Sequence, residues 1–215
     1  MGASSSSVMR IENGPDAHRN GLSENFFGIR WLDHFPIHLG ENIQVLPSDL
    51  TTYLSFLEGQ SRGDKGLENG FLSEPFDETK RRYYLSNVDL FAFKEGERTI
   101  GVFSGNVLDW STYYFRYVLL AREFNGQGFY KTFLAHLSNV LKISGVNRIE
   151  AHVPPSNTKS LHVLNSLGFV ITGTCFSERW GSLVQATCFL TSNNRDVFSR
   201  RLCLNIEPGN LSASP

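Results

Sequence analysis

The sequence predicts a mixed α/β fold of the α+β kind, in which helices pack against a mostly antiparallel central sheet. Two patterns carry this prediction. Three consecutive segments between residues 88 and 120 alternate or run apolar, as strands do. The next segment, from about Gly126 to Ile143, instead places Phe129, Phe133 and Leu137 at helical spacing. Strands and helices joined by short connections are typical of one layered domain.

Each further element follows from its local pattern. Pro47-Ser48-Asp49 separates a short apolar strand from apolar residues at helical spacing, so it begins a helix. The four glycines between residues 59 and 70 indicate a loop before a second, more polar helix. The predicted strands are 43–46, 88–93, 99–107, 112–120, 148–153, 169–176 and 183–190, and the predicted helices are 50–57, 74–85, 126–143 and 157–167.

These elements define the expected domain. We expect residues 41–192 to form it, residues 1–40 to be an N-terminal extension and residues 193–215 a C-terminal tail. About the first 23 residues are rich in Ser, Gly, Asn and Asp and are expected to be flexible. Aromatic residues return at Phe26, Phe27, Trp31 and Phe35, so we expect that stretch to pack on the domain surface.

Charge and hydropathy exclude several classes of partner. The 20 basic and 21 acidic residues give a net charge of -1, which is unlike the basic surface that binds a phosphate backbone. The apolar stretch 113–121 contains a charge and is too short to span a membrane. The start, Met1-Gly2-Ala3-Ser4-Ser5-Ser6, fits an N-acylation pattern, but no basic cluster follows. We therefore expect a cytoplasmic protein with no nucleic-acid or membrane partner.

The cysteines do not suggest a cofactor site. Cys175, Cys188 and Cys203 are an odd number and form no Cys-x-x-Cys pair, so neither a disulfide framework nor a structural zinc site is expected. In a reducing compartment they are expected to be small buried hydrophobic residues. We expect no metal.

The sequence Gly126-Gln127-Gly128 lies between a predicted strand and a predicted helix. Unpaired backbone N–H groups and the helix dipole attract an anion such as a pyrophosphate there, and glycine lets a ligand approach closely. A dinucleotide-binding fold requires a third glycine where Lys131 stands, and a P-loop requires Gly-Lys-Ser/Thr. By itself the pattern also fits an ordinary tight turn.

A second motif strengthens the first. The stretch Glu123-Phe124-Asn125-Gly126-Gln127-Gly128 resembles the Gln/Arg-x-x-Gly-x-Gly/Ala motif of the GNAT N-acyltransferase family. The family's later motif, Asn-x-x-Ala-x-x-x-Tyr-x-x-x-Gly-Phe, falls without a gap on Asn157 to Gly168-Phe169. The resemblance covers about 150 residues and includes the order of strands and helices. It implies that the fourth and fifth predicted strands, 112–120 and 148–153, are splayed apart and flanked by helices.

The resemblance also implies a reaction. Family members transfer an acetyl or other acyl group from acyl-CoA to a primary amine by direct attack, with no acyl-enzyme. The acceptor is a small-molecule or peptide amine. The residues implied for the cofactor, acetyl-CoA or another acyl-CoA, are Tyr117, Val118, Phe124, Asn125, Gly126, Gln127, Gly128, Phe129 and Asn157.

The implied catalytic base is His152, because it stands where related protein N-terminal acetyltransferases have a catalytic Glu. An imidazole can accept a proton at neutral pH, although the alternative of an ordinary hydrogen-bonded strand histidine stays open. Glu150, two residues earlier, is expected on the same face of the strand, as a second candidate base or an orienting partner.

Two departures from the family pattern keep other functions open. Glu123 replaces the usual Gln or Arg, and Arg122 or Lys131 would have to compensate for its charge. Leu164 replaces the Tyr that commonly protonates the departing thiolate, and Tyr113, Tyr114, Tyr117 or Tyr130 could serve instead. The alternatives are a non-catalytic acyl-CoA-binding protein, an O-acetyltransferase acting on a sugar hydroxyl, and a structural module. A homodimer is also open.

Overall fold

The computed structural model describes residues 25–60, 87–177 and 180–202. Its strands are β1 (Ile37–His38), β2 (Ile43–Pro47), β3 (Asp89–Glu95), β4 (Arg98–Asp109), β5 (Thr112–Leu120), β6 (Arg148–Val153), β7 (Val170–Ser177) and β8 (Gly181–Phe189). Its α-helices are α1 (Leu50–Gln60), α2 (Phe129–Ile143), α3 (Thr158–Ser166) and α4 (Ser192–Leu202), and 3-10 turns span Trp31–Asp33 and Arg122–Phe124.

All eight strands form one sheet in the order β1-β2-β3-β4-β5-β6-β8-β7. Every neighbouring pair is antiparallel except β5 and β6, which are parallel and joined through α2. A parallel pair needs such a crossover, whereas short turns suffice for the antiparallel pairs. The predicted mixed fold with a mostly antiparallel sheet is therefore confirmed.

The face of the sheet that packs against α2 holds most of the core. Phe133 of α2 is fully buried, and its ring lies 5.1 Å from the rings of both Phe93 and Phe103 and 5.9 Å from that of Phe91. These strand residues alternate with residues that point to the other face. Phe169, which follows α3, packs against Phe115 on the same side. We call this side the α2 face.

The opposite side of the sheet is more polar around β5 and β6. Thr112, Tyr114, Glu150 and His152 alternate with core residues along these two strands and so point to this side, which we call the polar face. Helix α1 lies against β3 and β4 on the same side, where the Tyr53 hydroxyl meets that of Ser104 at 3.1 Å. The α1 helix therefore borders the polar face without covering β6.

The aromatic segment before β1 is not a surface layer. Trp31 is only 1% exposed, and its indole Nε1 donates a 2.7 Å hydrogen bond to Asp89 at the start of β3. Its ring also packs edge-on against Phe91 at 5.1 Å. The expectation that this segment packs on the domain surface is wrong for Trp31, because an indole can be fully buried once its N–H has a partner.

The last described segment also differs from expectation. Residues predicted to be a tail form α4, whose Phe198 packs against Phe189 of β8 with ring centroids 4.8 Å apart. The predictions for residues 1–23, for most of the loop at 59–70 and for the helix at 74–85 lie outside the described residues, as does Cys203. None of the described helices is both long and apolar enough to cross a membrane.

Candidate active site

The glycine loop connects β5 to α2 through the 3-10 turn Arg122–Phe124. Gly126 and Gly128 have φ angles of 79° and 85°, a left-handed conformation that L side chains rarely adopt. Gly128 is the N-cap of α2, and no side chain caps the helix there. The backbone N–H groups of the first turn are therefore available to an anion, and the helix dipole favours negative charge at the same point.

The other loop residues differ in exposure. Asn125 and Gln127 are exposed, and the Gln127 amide donates a 2.8 Å hydrogen bond to the Glu123 carbonyl, which ties the loop to the 3-10 turn. Phe129 is half-buried, whereas the Phe124 side chain is buried beneath the Arg98 guanidinium, 5.6 Å from its ring centroid. Of Phe124, only the backbone is placed where a ligand in the loop could reach it.

The acidic residue at the head of the loop is paired. Arg98 Nη2 lies 2.5 Å from Glu123 Oε1, and Arg98 also approaches Glu95 at 3.8 Å. A hydrogen bond from its own backbone N–H and the Arg98 guanidinium lower the pKa of Glu123. The expected compensation by Arg122 or Lys131 is thus supplied by Arg98 instead. Sequence reasoning missed it because β4 and β5 must pair before residues 98 and 123 meet.

Beyond the loop, β5 and β6 separate. Their paired residues end at Phe115 and Ala151, while β5 continues to Leu120. A bulge in β5 at Arg116 begins the separation, since a bulge bends the strand that carries it. Tyr117 and Val118, which pair with β4, lie beyond the end of the β5–β6 pairing and border the gap between the two strands. This gap is the predicted splay of the two strands.

The motif after β6 forms the start of α3. Asn157 is the N-cap, and its side-chain Oδ1 accepts a 3.2 Å hydrogen bond from the Ser160 backbone N–H. Its amide nitrogen is exposed and can still donate. Leu164 is 1% exposed and belongs to the core on the α2 face. The position therefore fills the core and offers no proton.

His152 and Glu150 lie on the polar face at the point where the strands separate. The His152 ring contacts the ring of Tyr114 edge-on at 5.1 Å, and Tyr114 is the strand partner of Glu150. The two candidate bases share a face, as predicted. Among the described residues no hydrogen bond or ion pair joins them, so nothing shown makes Glu150 an orienting partner of His152.

An ionic cluster stands beside these residues. The Arg148 guanidinium donates to Thr112 Oγ1 at 2.6 Å and to Asp109 Oδ2 at 3.0 Å, and its Nε lies 3.6 Å from Glu150 Oε1. Burial raises the pKa of Asp109, but hydrogen bonds from Ser111 and Thr112 and the charge of Arg148 outweigh this and lower it. Sequence reasoning missed the cluster because Asp109 and Arg148 are 39 residues apart in the sequence.

Burial separates the candidate tyrosines and makes Cys188 unsuitable as a nucleophile. Tyr113 is fully buried on the α2 face and donates to Asp89 at 2.8 Å, and burial, followed by the Asp89 charge, raises its pKa well above the usual value. Burial also raises the pKa of Tyr130. Burial raises the pKa of the Cys188 thiol to about 12, so it stays protonated. Tyr114 and Tyr117 remain as candidate donors, both on the polar face.

A surface depression of about 560 Å³ lies at the turns joining β1 to β2 and β3 to β4. It contains none of the predicted site residues, and Glu41 and Glu95 line it. Carboxylates repel an anionic cofactor, so the depression is not where a pyrophosphate would bind. Three or more His, Cys, Asp or Glu side chains suitably placed for a metal ion do not occur together among residues 25–60, 87–177 and 180–202.

These features coincide with a match to a known family. A model of the acetyltransferase (GNAT) family matches residues 57–169, more than half of the chain. The chain belongs to the acetyltransferase (GNAT) family. The match spans the glycine loop, the separated strands and the motif at the start of α3, so the GNAT resemblance and the predicted enzyme class are confirmed. Among curated proteins, none matches the chain.

Solved GNAT structures share the fold. The spermidine N-acetyltransferase from Vibrio cholerae, solved in complex with CoA and spermine, gives a TM-score of 0.53 at 16% identity, covering 70% of this chain and 97% of that chain. The ribosomal-protein-S5-alanine acetyltransferase from Vibrio fischeri gives a TM-score of 0.56 at 17% identity, covering 74% of this chain and 98% of that chain. At such identities the likeness establishes the fold and leaves the acceptor open.

Proposed function

We propose that this chain transfers an acetyl, or another acyl, group from acyl-CoA to a primary amine by direct attack of the amine on the thioester in a ternary complex. The observation that carries the proposal is the separation of β5 from β6 beyond Phe115, beside the start of α2, which no side chain caps. The gap between two separated strands can admit an extended amide chain, and an uncapped helix start can bind a pyrophosphate.

The residues for each part of the cofactor follow from this placement. Backbone N–H groups from Gly126 to Phe129 would hold the pyrophosphate, and the pairing of Glu123 with Arg98 removes an opposing charge there. The backbone around Tyr117 and Val118, beyond the point where the strands separate, would align the pantetheine and offer an N–H to the thioester carbonyl as negative charge develops on its oxygen. The exposed Asn157 amide would donate at the mouth of the gap.

We assign His152 as the catalytic base and keep Glu150 as the second candidate. His152 is half-buried, and within the described residues its side chain contacts the ring of Tyr114 at the point where β5 and β6 separate. In the reaction a C–N bond forms, the C–S bond breaks, and the amine proton passes to His152. The electron pair of the broken bond leaves with the CoA sulfur as a thiolate.

The acceptor class is proposed from chemistry. The two compared enzymes are named for spermidine and for a ribosomal-protein alanine, and both names describe amines. A small-molecule or peptide amine is therefore the acceptor class we propose here. We also propose a cytoplasmic location, which the free thiols of Cys175 and Cys188 support.

One observation favours a second candidate function. Because Leu164 is sealed in the core, the position offers no proton to a leaving thiolate. A chain that binds acyl-CoA without turnover would tolerate this replacement. Release of CoA in the presence of any amine would exclude the non-catalytic function. Alkaline stability of the product would distinguish an amide from the ester of an O-acetyltransferase.

The first experiment measures the thermal midpoint with and without acetyl-CoA and free CoA. A ligand at about 100 times its Kd contributes about 2.7 kcal/mol, or about 5 to 10 °C for a chain of this size. Gly128→Ala tests the loop, and Gly145→Ala is its matched control. Gly145, just after the end of α2, has a φ of 83°, and a Cβ would meet nothing within 4 Å at either position.

The matched pair isolates the ligand. Both variants carry the same left-handed strain of about 1 to 2 kcal/mol and should lose similar stability. Only Gly128→Ala should lose much of the rise induced by CoA. An equal rise in both variants would show that the loop does not hold the cofactor. No rise in the wild type with any acyl chain length would reject the transferase.

A further inference from the structure

The ionic cluster on the polar face links the turn between β4 and β5 to the beginning of β6. Its members are Asp109, Thr112, Arg148 and Glu150. Thr112 and Arg148 are direct strand partners in the parallel pair, and Glu150 follows Arg148 by two residues on the same face. The strand register therefore fixes the backbone positions of all four residues.

Arg148 is held firmly on one side. The Asp109 carboxylate accepts from the Ser111 backbone N–H at 2.8 Å, from the Ser111 and Thr112 hydroxyls at 3.0 and 2.9 Å, and from Arg148 at 3.0 Å. Thr112, fully buried, also accepts from Arg148 Nε at 2.6 Å. Charge-assisted bonds of this kind fix a guanidinium in one orientation.

The Glu150 carboxylate has far fewer polar partners than the Asp109 carboxylate. It is 8% exposed, yet its carboxylate has one polar side-chain contact within the described residues, the Arg148 Nε at 3.6 Å, which is too long for a hydrogen bond. Its partner on β8, Thr187, already shares its hydroxyl with Thr172 at 2.8 Å. A carboxylate has about four acceptor sites, so Glu150 retains unused capacity.

The charges in the cluster do not balance. Asp109 and Glu150 carry two negative charges against the single positive charge of Arg148, and the shorter bonds of Arg148 go to Asp109 and Thr112. A largely buried carboxylate costs several kcal/mol unless an opposite charge or hydrogen bonds compensate it. Arg148 is the cation beside Glu150 in the described part of the chain, and at 3.6 Å it faces the carboxylate without a hydrogen bond to it.

We propose that Arg148, anchored by Asp109 and Thr112, is a positioning residue that holds the Glu150 carboxylate beside His152 where β5 and β6 separate. The inference rests on the proposed function, since it gives Glu150 the task of accepting a hydrogen bond from the incoming amine. His152 then takes the proton. Arg148 touches neither substrate and acts through Glu150 alone.

The competing explanation is purely structural, in which Arg148 only fastens the β4–β5 turn to β6. Three variants separate the two explanations. Arg148→Met removes the charge and keeps the chain length, and Arg148→Lys keeps the charge without the planar fork. Arg30→Met is the matched control, because Arg30 forms a 2.8 Å ion pair with Asp33 on the exposed surface and is not part of the ionic cluster.

The kinetic readout compares the two substrates, normalised to folded protein. Arg148→Met should lower kcat/KM for the amine about 100-fold, as expected when a reacting group is displaced by about 1 Å, and leave the Kd for acyl-CoA, measured without the amine, nearly unchanged. Arg148→Lys should recover part of the loss, and Arg30→Met should show none. Wild-type kcat/KM in Arg148→Met, or acyl-CoA binding that weakens by the same factor as kcat/KM for the amine, would overturn the inference.

A spectroscopic readout keeps this test independent of turnover. In a carbon-13 NMR spectrum, the resonance of the Glu150 side-chain carboxyl carbon is assigned by its disappearance in Glu150→Gln. The chemical shift of this resonance should change in Arg148→Met and stay the same in Arg30→Met. An unmoved resonance in Arg148→Met would refute the positioning role even in an active enzyme. If the wild type turns over no amine, the proposed function fails, and the resonance still decides whether Arg148 controls Glu150.

Discussion

Replacement of Asp89 tests how the aromatic N-terminal segment is fastened to the sheet. The Asp89 carboxylate accepts from Trp31 Nε1 at 2.7 Å and from the Tyr113 hydroxyl at 2.8 Å, and both donors are almost fully buried. Asp89→Ala leaves two buried donors without a partner, at about 1 to 3 kcal/mol each. The two donors together cost about 2 to 6 kcal/mol, and because removal of the buried charge offsets part of this, we expect a net loss of about 1 to 4 kcal/mol.

Asp89→Asn is the matched variant. Its amide oxygen can still accept from Trp31, and the Tyr113 hydroxyl can accept instead of donating, so stability should stay within about 1 kcal/mol of the wild type. Burial raises the pKa of Asp89 above its usual 3.8 despite these hydrogen bonds. Protonation of Asp89 therefore stabilises the folded protein fully below pH 3.8, and this stabilisation is lost as the pH rises through the folded-state pKa of Asp89. Asn has no such loss.

Urea unfolding followed by the fluorescence of the buried Trp31 measures both effects. Between roughly pH 4 and pH 7 the wild type should lose stability relative to Asp89→Asn, whereas the gap between Asn and Ala should stay constant. Equal stability of the Asn and Ala variants would show that the two donors find other partners. A wild-type-minus-Asn difference that does not change with pH would show that burial does not control this carboxyl.

Two further predictions concern the site. Arg98→Met leaves the Glu123 charge unpaired near the glycine loop and should weaken CoA binding about two- to fivefold at low salt. The double variant Arg98→Met/Glu123→Gln should restore the affinity, because it also removes the Glu123 charge. Calorimetry measures both affinities, and a double variant that stays weak would contradict the charge argument. His152→Gln should lower kcat about 10²- to 10⁴-fold with the acyl-CoA Kd unchanged, and a larger loss in Glu150→Gln would instead make Glu150 the base.

Local pattern was sufficient for the central elements. The predicted strands 112–120 and 148–153 have the bounds of β5 and β6, because alternation along a strand needs no knowledge of its partners. The start of α2 was placed three residues early. Gly126 and Gly128 have positive φ angles and end the loop, so the helix begins only at Phe129.

Contacts between distant residues were beyond the sequence. Arg98 and Glu123 meet only because β4 and β5 pair, and a surface arginine in a turn gives no local sign of its partner. Asp109 and Arg148 meet only through the parallel pair. The burial of Trp31 depends likewise on Asp89, which is 58 residues away. Each miss is a polar contact that spans elements, for which periodicity carries no information.

The replacement at Leu164 has a consequence for how the leaving group could be protonated. Leu164 lies on the α2 face, packed in the core, and Tyr113 and Tyr130 are held protonated by burial. Of the four candidate tyrosines, Tyr114 and Tyr117 are left, both on the polar face with His152. If one of the four donates to the sulfur, the proton therefore comes from β5 and from the side on which the amine loses its proton. Both the loss of the amine proton and the protonation of the thiolate would then take place on the polar face, so the reaction would not need a proton donor at position 164 of α3.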